Sequence, residues 1–140
     1  MRACRRAPRR AARAEYHLPC QDDSAGLART LTRTFLARAR EDAPPRAEVD
    51  DAVLVVSELV ANATRHGRSC CRLRLTLGQG DQLTVEVHDD NPRYPRLRAV
   101  SVSAEHGRGI ALVRALSRRL SVSADSHGGK TVRAVLPAAA

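Results

Sequence analysis

Glu58, Asn62 and His66 recur at intervals of four through a stretch that is otherwise almost wholly apolar and that stops at Gly67. Intervals of four set three polar side chains one turn apart along a single stripe of a helix. The opposite stripe, Val49, Val53, Val56, Val60 and Ala63, is apolar and suits a core. Leu54 and Val55 flank the polar stripe, so even that side reads as half buried. A carboxylate and a carboxamide in such surroundings are costly unless they are hydrogen-bonded or hold an ion. Either this is a solvated helix face with a satisfied Asn62, or it is an ion site.

Two further patterns could do chemistry. Asp89 closes an alternating run, so its carboxylate sits where a long connection leaves a sheet. An acceptor there can take an exocyclic amine, as a carboxylate does with adenine. An Asp that forms the turn before Asn91-Pro92 is the other reading. In Glu105-His106-Gly107-Arg108-Gly109-Ile110-Ala111-Leu112-Val113, two glycines one residue apart open an apolar helix. Exposed amides at the positive end of a helix suit phosphate, and glycine removes the Cβ that would hold a ligand off the backbone. The same pair could be a plain hinge.

These residues need elements to position them. Ser24 is placed to cap a first helix over about residues 24–41, with Leu27, Leu31 and Phe35 on its inner face. Pro44-Pro45 break the chain, and a second helix is predicted over 47–65 with Gly67 as its left-handed cap. Leu73, Leu75 and Leu77 alternate with Arg72, Arg74 and Thr76; after Gly78-Gln79-Gly80-Asp81, Leu83, Val85 and Val87 alternate with Thr84, Glu86 and His88. Period two around a glycine-rich turn predicts a hairpin with one core face and one wet face. Residues 89–108 show no periodicity, and a connection that long in a small domain is usually functional. A third helix is expected from Gly109, then strands over 120–124 and 131–136. The fold expected is α+β, an α/β sandwich with a mixed, mainly antiparallel sheet covered on one face by three helices.

A chain of 140 residues suits one domain over 21–140, preceded by an Arg/Ala-rich tail over 1–20 that reads as disordered. Of the net charge of +9, six arginines within the first thirteen residues supply six units, leaving about +3 for the rest. One Phe, two Tyr and no Trp leave no stacking platforms for single strands, so direct nucleic-acid binding is not expected. No apolar run approaches the roughly 20 residues that span a bilayer, and the arginine-rich start is not followed by a signal-type apolar stretch. No membrane role and a cytoplasmic place are expected. Cys4, Cys20, Cys70 and Cys71 form no paired C-x-x-C framework, so free thiols rather than structural zinc are expected.

Four boxes in order complete the pattern: Ser57-Glu58-Leu59-Val60-Ala61-Asn62-Ala63-Thr64-Arg65-His66-Gly67, Val87-His88-Asp89-Asp90-Asn91-Pro92, Gly107-Arg108-Gly109-Ile110-Ala111-Leu112-Val113 and Gly128-Gly129-Lys130-Thr131-Val132. Over residues 22–137 they resemble the ATP-binding domain shared by gyrase, the Hsp90 chaperones, histidine kinases and MutL, the Bergerat fold. The nearer resemblance is to small bacterial anti-sigma factors that are also serine/threonine kinases. It implies ATP and Mg2+ as cofactors. Asn62 matches the Asn that coordinates magnesium, Glu58 the general base, and Asp89 the acceptor of the adenine amine. Gly107 and Gly109, with Arg108 between them, match the phosphate segment, Thr131 the threonine near the adenine-binding Asp, and His66 lies beside the nucleotide. Asn91 stands where the broader family often has Gly, a turn that Asn tolerates.

The function implied is an ATP-binding regulator that sequesters a sigma factor and transfers the γ-phosphate to a Ser or Thr of an anti-sigma factor antagonist; close relatives commonly work as homodimers. Two other readings stay open: a protein-binding module that is catalytically weak or inactive, and a basic nucleic-acid binder whose boxes are relics.

Overall fold

The computed structural model describes residues 12–40, 46–66, 70–90 and 105–137. In chain order the elements are β1 (Ala12–Leu18), α1 (Ser24–Ala39), α2 (Arg46–His66), β2 (Cys71–Leu77), β3 (Leu83–Asp89), α3 (Glu105–Leu116), β4 (Arg119–Ala124) and β5 (Lys130–Val135). The strands make one sheet in the order β1-β2-β3-β5-β4, and every pairing is antiparallel. The three helices cover one face, with α2 in the middle between α1 and α3.

Strict alternation sorts the sheet. Cys71, Leu73, Leu75 and Leu77 of β2, Leu83, Val85 and Val87 of β3, and Val132 and Ala134 of β5 are buried under the helices. The residues between them face away. Against this sheet lies α2, whose Val55, Val56 and Val60 are fully buried, with Ala52, Leu59 and Ala63 beside them. Each such Val or Leu contributes about 1.5–3 kcal/mol by leaving water, which makes α2 the fixed part of the helical layer.

Three sequence expectations give way. Residues 12–18 are an edge strand rather than disordered tail, paired along their whole length with β2 from Ala12 opposite Leu77 to Leu18 opposite Cys71. Leu18 is buried, and Arg13, Glu15 and His17 point outward. Next, α1 is rotated from the expected face. Its buried stripe is Ser24, Ala28, Thr32, Phe35 and Leu36, while Leu27 is exposed. The hydroxyl of Thr32 is tolerated inside because it donates to the Ala28 carbonyl at 2.8 Å. Ser24 lies inside the first turn and donates to the Pro19 carbonyl, leaving Asp23 at the cap position. Last, α3 starts at Glu105, so Gly107 and Gly109 belong to the helix instead of preceding it.

The uncovered face of the sheet is a grid of charge. Across β1, β2, β3 and β5, Glu15, Arg74, Glu86 and Arg133 stand in register and alternate in sign. The neighbouring contacts are 3.3, 3.4 and 3.6 Å, and Arg72 reaches Glu15 at 3.1 Å. A different ion pair lies under the surface, where α1 gives way to α2. Arg40 grips Glu48 through two hydrogen bonds of 2.8 and 2.7 Å and also donates to the Asp81 carbonyl at 3.3 Å. Its side chain is 7% exposed. Removing one partner of such a pair strands the other charge. Arg40→Met is therefore expected to lower the urea-unfolding free energy by about 3 kcal/mol. A loss below about 1 kcal/mol would put the pair on the scale of exposed ion pairs instead.

Candidate functional site

On α2, Glu58 and Asn62 are both half-buried, one turn apart as their spacing requires. Glu58 lies directly against α3. A Cβ added at Gly109 would stand 2.1 Å from its Oε2 and 3.0 Å from its Cδ, so only glycine allows the two helices to meet with the carboxylate between them. The first turn of a helix presents unpaired amides and partial positive charge, which favours an anion beside it. Gly107 and the backbone of Arg108 lie in that same turn. The side chains of His66, at the end of α2, and of Arg108 lie outside the described residues, as do Asn91 and Pro92.

The second cluster sits at the end of the sheet. Asp89 is the last residue of β3, and Lys130, its register partner, is the first of β5. Both face the helical side, both are 2% exposed, and Lys130 Nζ donates to Asp89 Oδ1 at 2.9 Å. Cys71 shares this region. Burial, and after it the negative charge of Asp89, push its thiol up to about 11.

The β4–β5 turn holds Lys130 in place. Gly128 has φ +87°, which an L side chain rarely adopts. A Cβ at Gly129 would lie 2.7 Å from both the Asp89 carbonyl and Asp125 Oδ2, and 3.1 Å from His88 Nε2. Asp125 organises this turn by accepting from the His127 and Gly129 amides at 2.8 and 2.9 Å and by pairing with His88 at 2.7 Å. The His88 hydrogen bond, followed by those two amides, holds the Asp125 carboxyl down to about 2.

Thr131 does not sit beside Asp89. It pairs with His88 and shares its outward face, lining a shallow concavity of about 230 Å³ with Arg72, Arg74, Glu86, His88 and Ser123. Lys130 has the place that the sequence reading assigned to Thr131. The signal was present: counting back by twos from the apolar Ala134 and Val132 puts Lys130 inside and Thr131 outside. Glu58 and Gly109 are brought into contact, and Asp89 is sealed into the sheet end.

The profile of the histidine kinase-like ATPase domain matches residues 20–136, and the chain belongs to that family. No curated protein sequence matches it. Among solved structures it is similar to the RsbU and RsbW domains of Rv1364c from Mycobacterium tuberculosis, at TM-score 0.66 and 20% identity, covering 89% of this chain and 32% of that one. The SiaB–SiaC complex from Pseudomonas aeruginosa gives TM-score 0.66 at 14% identity, with 88% of each chain covered. The Erythrobacter litoralis EL346 blue-light activated histidine kinase gives 0.54 at 25%, over 81% of this chain and 40% of that one. The chain thus spans well under half of the first and third of these proteins. What the three share with it is the fold. Among the described residues, no helix is long and apolar enough to cross a membrane.

Two outcomes follow from these contacts. Gly109→Ala is expected to fold with stability unchanged or raised by up to about 1 kcal/mol, because Ala is the better helix former and Glu58 can swing aside. A crystal structure should then show the Glu58 carboxylate displaced, and a large drop in melting temperature would contradict this. For Asp125, the folded value lies below its ordinary 3.8, so its stabilising effect is complete above about pH 4 and fades as pH falls toward 2. In His88→Ala, carbon-detected NMR should find the Asp125 carboxyl titrating closer to 3.8, because the largest cause of the depression is gone.

Proposed function

We propose that this protein binds ATP with Mg2+ and acts in the cytoplasm as an anti-sigma-factor-type serine/threonine kinase that sequesters a regulator and phosphorylates its antagonist. The observation that carries the reading is the Glu58 carboxylate held against Gly109, just past the first turn of α3, in a chain whose family is that of histidine kinase-like ATPases. The donor set suits the ligand: an amide oxygen on α2 for a small hard cation, a helix start for phosphate, and a carboxylate at the sheet end for an amine. Bound ATP would supply the phosphoryl group and its metal the charge neutralisation.

The chain's own residues divide the work. Asn62 would offer its amide oxygen to the metal. Glu58, one turn earlier, takes the proton from the attacking hydroxyl and is kept half-buried by α3, where a carboxylate works as a base with less water around it. Gly109 keeps the backbone close. Partner proteins are supported by the similar structures, an RsbW domain determined with RsbU and SiaB in complex with SiaC.

A second reading has a specific observation behind it. Asp89 already accepts a hydrogen bond from Lys130 inside the protein, which favours a binding module in which the sheet end is structural and no phosphate is transferred. Calorimetric titration of ATP with Mg2+ separates the two. Wild-type protein should bind saturably and Asn62→Ala at least about tenfold more weakly, since it loses a metal ligand. Glu58→Ala should still bind ATP and lose phosphotransfer to the antagonist. Wild-type protein that binds no ATP would sink the kinase and leave the binding module.

A further inference from the structure

The two rims of the sheet are built differently. On β1, Arg13, Glu15 and His17 stand along the outward face, and Glu15 is tied to Arg72 and Arg74 at 3.1 and 3.3 Å. Charged side chains of this kind blunt a rim against an added strand. β4 is the last strand on the other side and, among the described residues, pairs with β5 alone. Beyond Arg119 its outward side chains are the small Ser121 and Ser123. Nothing bulky obstructs its backbone.

The ladder shows which groups face the β4 rim. The Leu136 amide donates to the Leu83 carbonyl at 2.9 Å, in line with the β3–β5 register, so even-numbered residues of β5 bond to β3 and odd-numbered ones to β4. Arg119, Ser121 and Ser123 oppose those odd-numbered residues, which leaves the N–H and C=O groups of Leu120 and Val122 pointing away from the sheet. Their side chains face the helical layer yet are only half-buried, whereas Val132 and Ala134 on β5 are 3% and 0% exposed. A strand added here meets open bonding groups and an incompletely roofed apolar strip. The charge around it has one sign. Arg118 and Arg119 are exposed and have no acidic partner among the described residues, and the exposed Arg114 and Arg133 flank them. β4 itself carries no Asp or Glu.

We infer that the rim of β4 is a docking edge for an extended acidic segment of a partner protein, which joins the sheet next to β4. Main-chain hydrogen bonds to Leu120 and Val122 hold the segment, and its alternation sets what it must contain. Apolar residues on one side complete the roof over Leu120 and Val122. Asp or Glu on the other side meets Arg119 and Arg133. The six residues of β4 offer a rim of about 20 Å. A second copy of the same strand fits badly, because it brings Arg118 and Arg119 against their own kind. β5 stands between this rim and Asp89 of β3, so the inference does not rest on nucleotide binding.

A synthetic peptide that alternates glutamate and valine over the length of β4 serves as the probe, titrated into the isotope-labelled full chain and followed by amide NMR. In the chain alone, the Leu120 and Val122 amides should exchange with solvent faster than that of Ser121, and the peptide should protect them. Two control peptides, one with a central proline and one with lysine in place of glutamate, should each bind at least about tenfold more weakly, the scale of one or two lost hydrogen bonds or of reversed charge. Arg119→Glu should weaken the glutamate peptide at least about fivefold, while Arg33→Glu, the same change of charge on α1, should stay within about twofold of wild type. Both positions are exposed, and the amide spectrum of each variant reports its folding. Equal binding of the proline peptide would overturn strand addition and leave charge attraction only. Shifts confined to the arginine-rich residues 1–11, or no shift in β4 at all, would overturn the site. Concentration-dependent shifts in β4 without peptide would overturn the choice of partner in favour of a second copy.

Discussion

The burial of α2 against the sheet is the constraint on which the remaining geometry depends. Val55, Val56 and Val60 have no exposed surface, and Leu59 almost none. A helix anchored by four such side chains cannot roll without opening the core, so the side it turns away from the sheet is fixed as well. Glu58 and Asn62 inherit their directions from that packing. The contact of Glu58 with Gly109 then sets how closely α3 approaches, and α1 closes the other flank through Arg29, which donates to Ser57 at 2.9 Å. Polar residues with little freedom of their own are held by apolar neighbours that carry no chemistry.

Those apolar neighbours are also what the sequence showed most clearly. The hairpin of β2 and β3 was legible because every second residue is Leu or Val, and α2 was legible to within a residue at each end. Legibility failed where small or polar side chains do the packing. In β1 the inward positions begin with Ala12 and Ala14, so alternation is hidden in an Arg/Ala composition that suggests no structure. In α1 the large Leu27 drew attention from Ala28 and Thr32, yet close helix packing selects the small residues and leaves the leucine outside. Glycines at 107 and 109 looked like a boundary because glycine is a poor helix former, whereas Gly109 is in the helix for want of a Cβ.

At the site, the same asymmetry holds. Residue types alone pointed to Glu58, Asn62 and Asp89, but a one-residue ambiguity in β5 decided between Thr131 and Lys130. Strand period two makes such a slip total, since it exchanges the two faces of the sheet. Thr131 was assigned through the family resemblance, by its residue type and not by the face it takes on the strand. Lysine goes inside because a carboxylate waits there, a pairing that no count of hydrophobicity along β5 would reveal.

The bare face of the sheet has a consequence for how the molecule answers its medium. Its ion pairs are open to water, with Arg133 and Arg72 about half exposed, so mobile ions within a Debye length of about 10 Å at 0.1 M weaken them. The Asp89–Lys130 and Arg40–Glu48 pairs are shielded from those ions by the protein around them. Ionic strength therefore acts on the two sides of one sheet unequally. Electrolyte can slacken the charge grid across β1, β2, β3 and β5 while leaving intact the pair that closes β3 onto β5 on the other side.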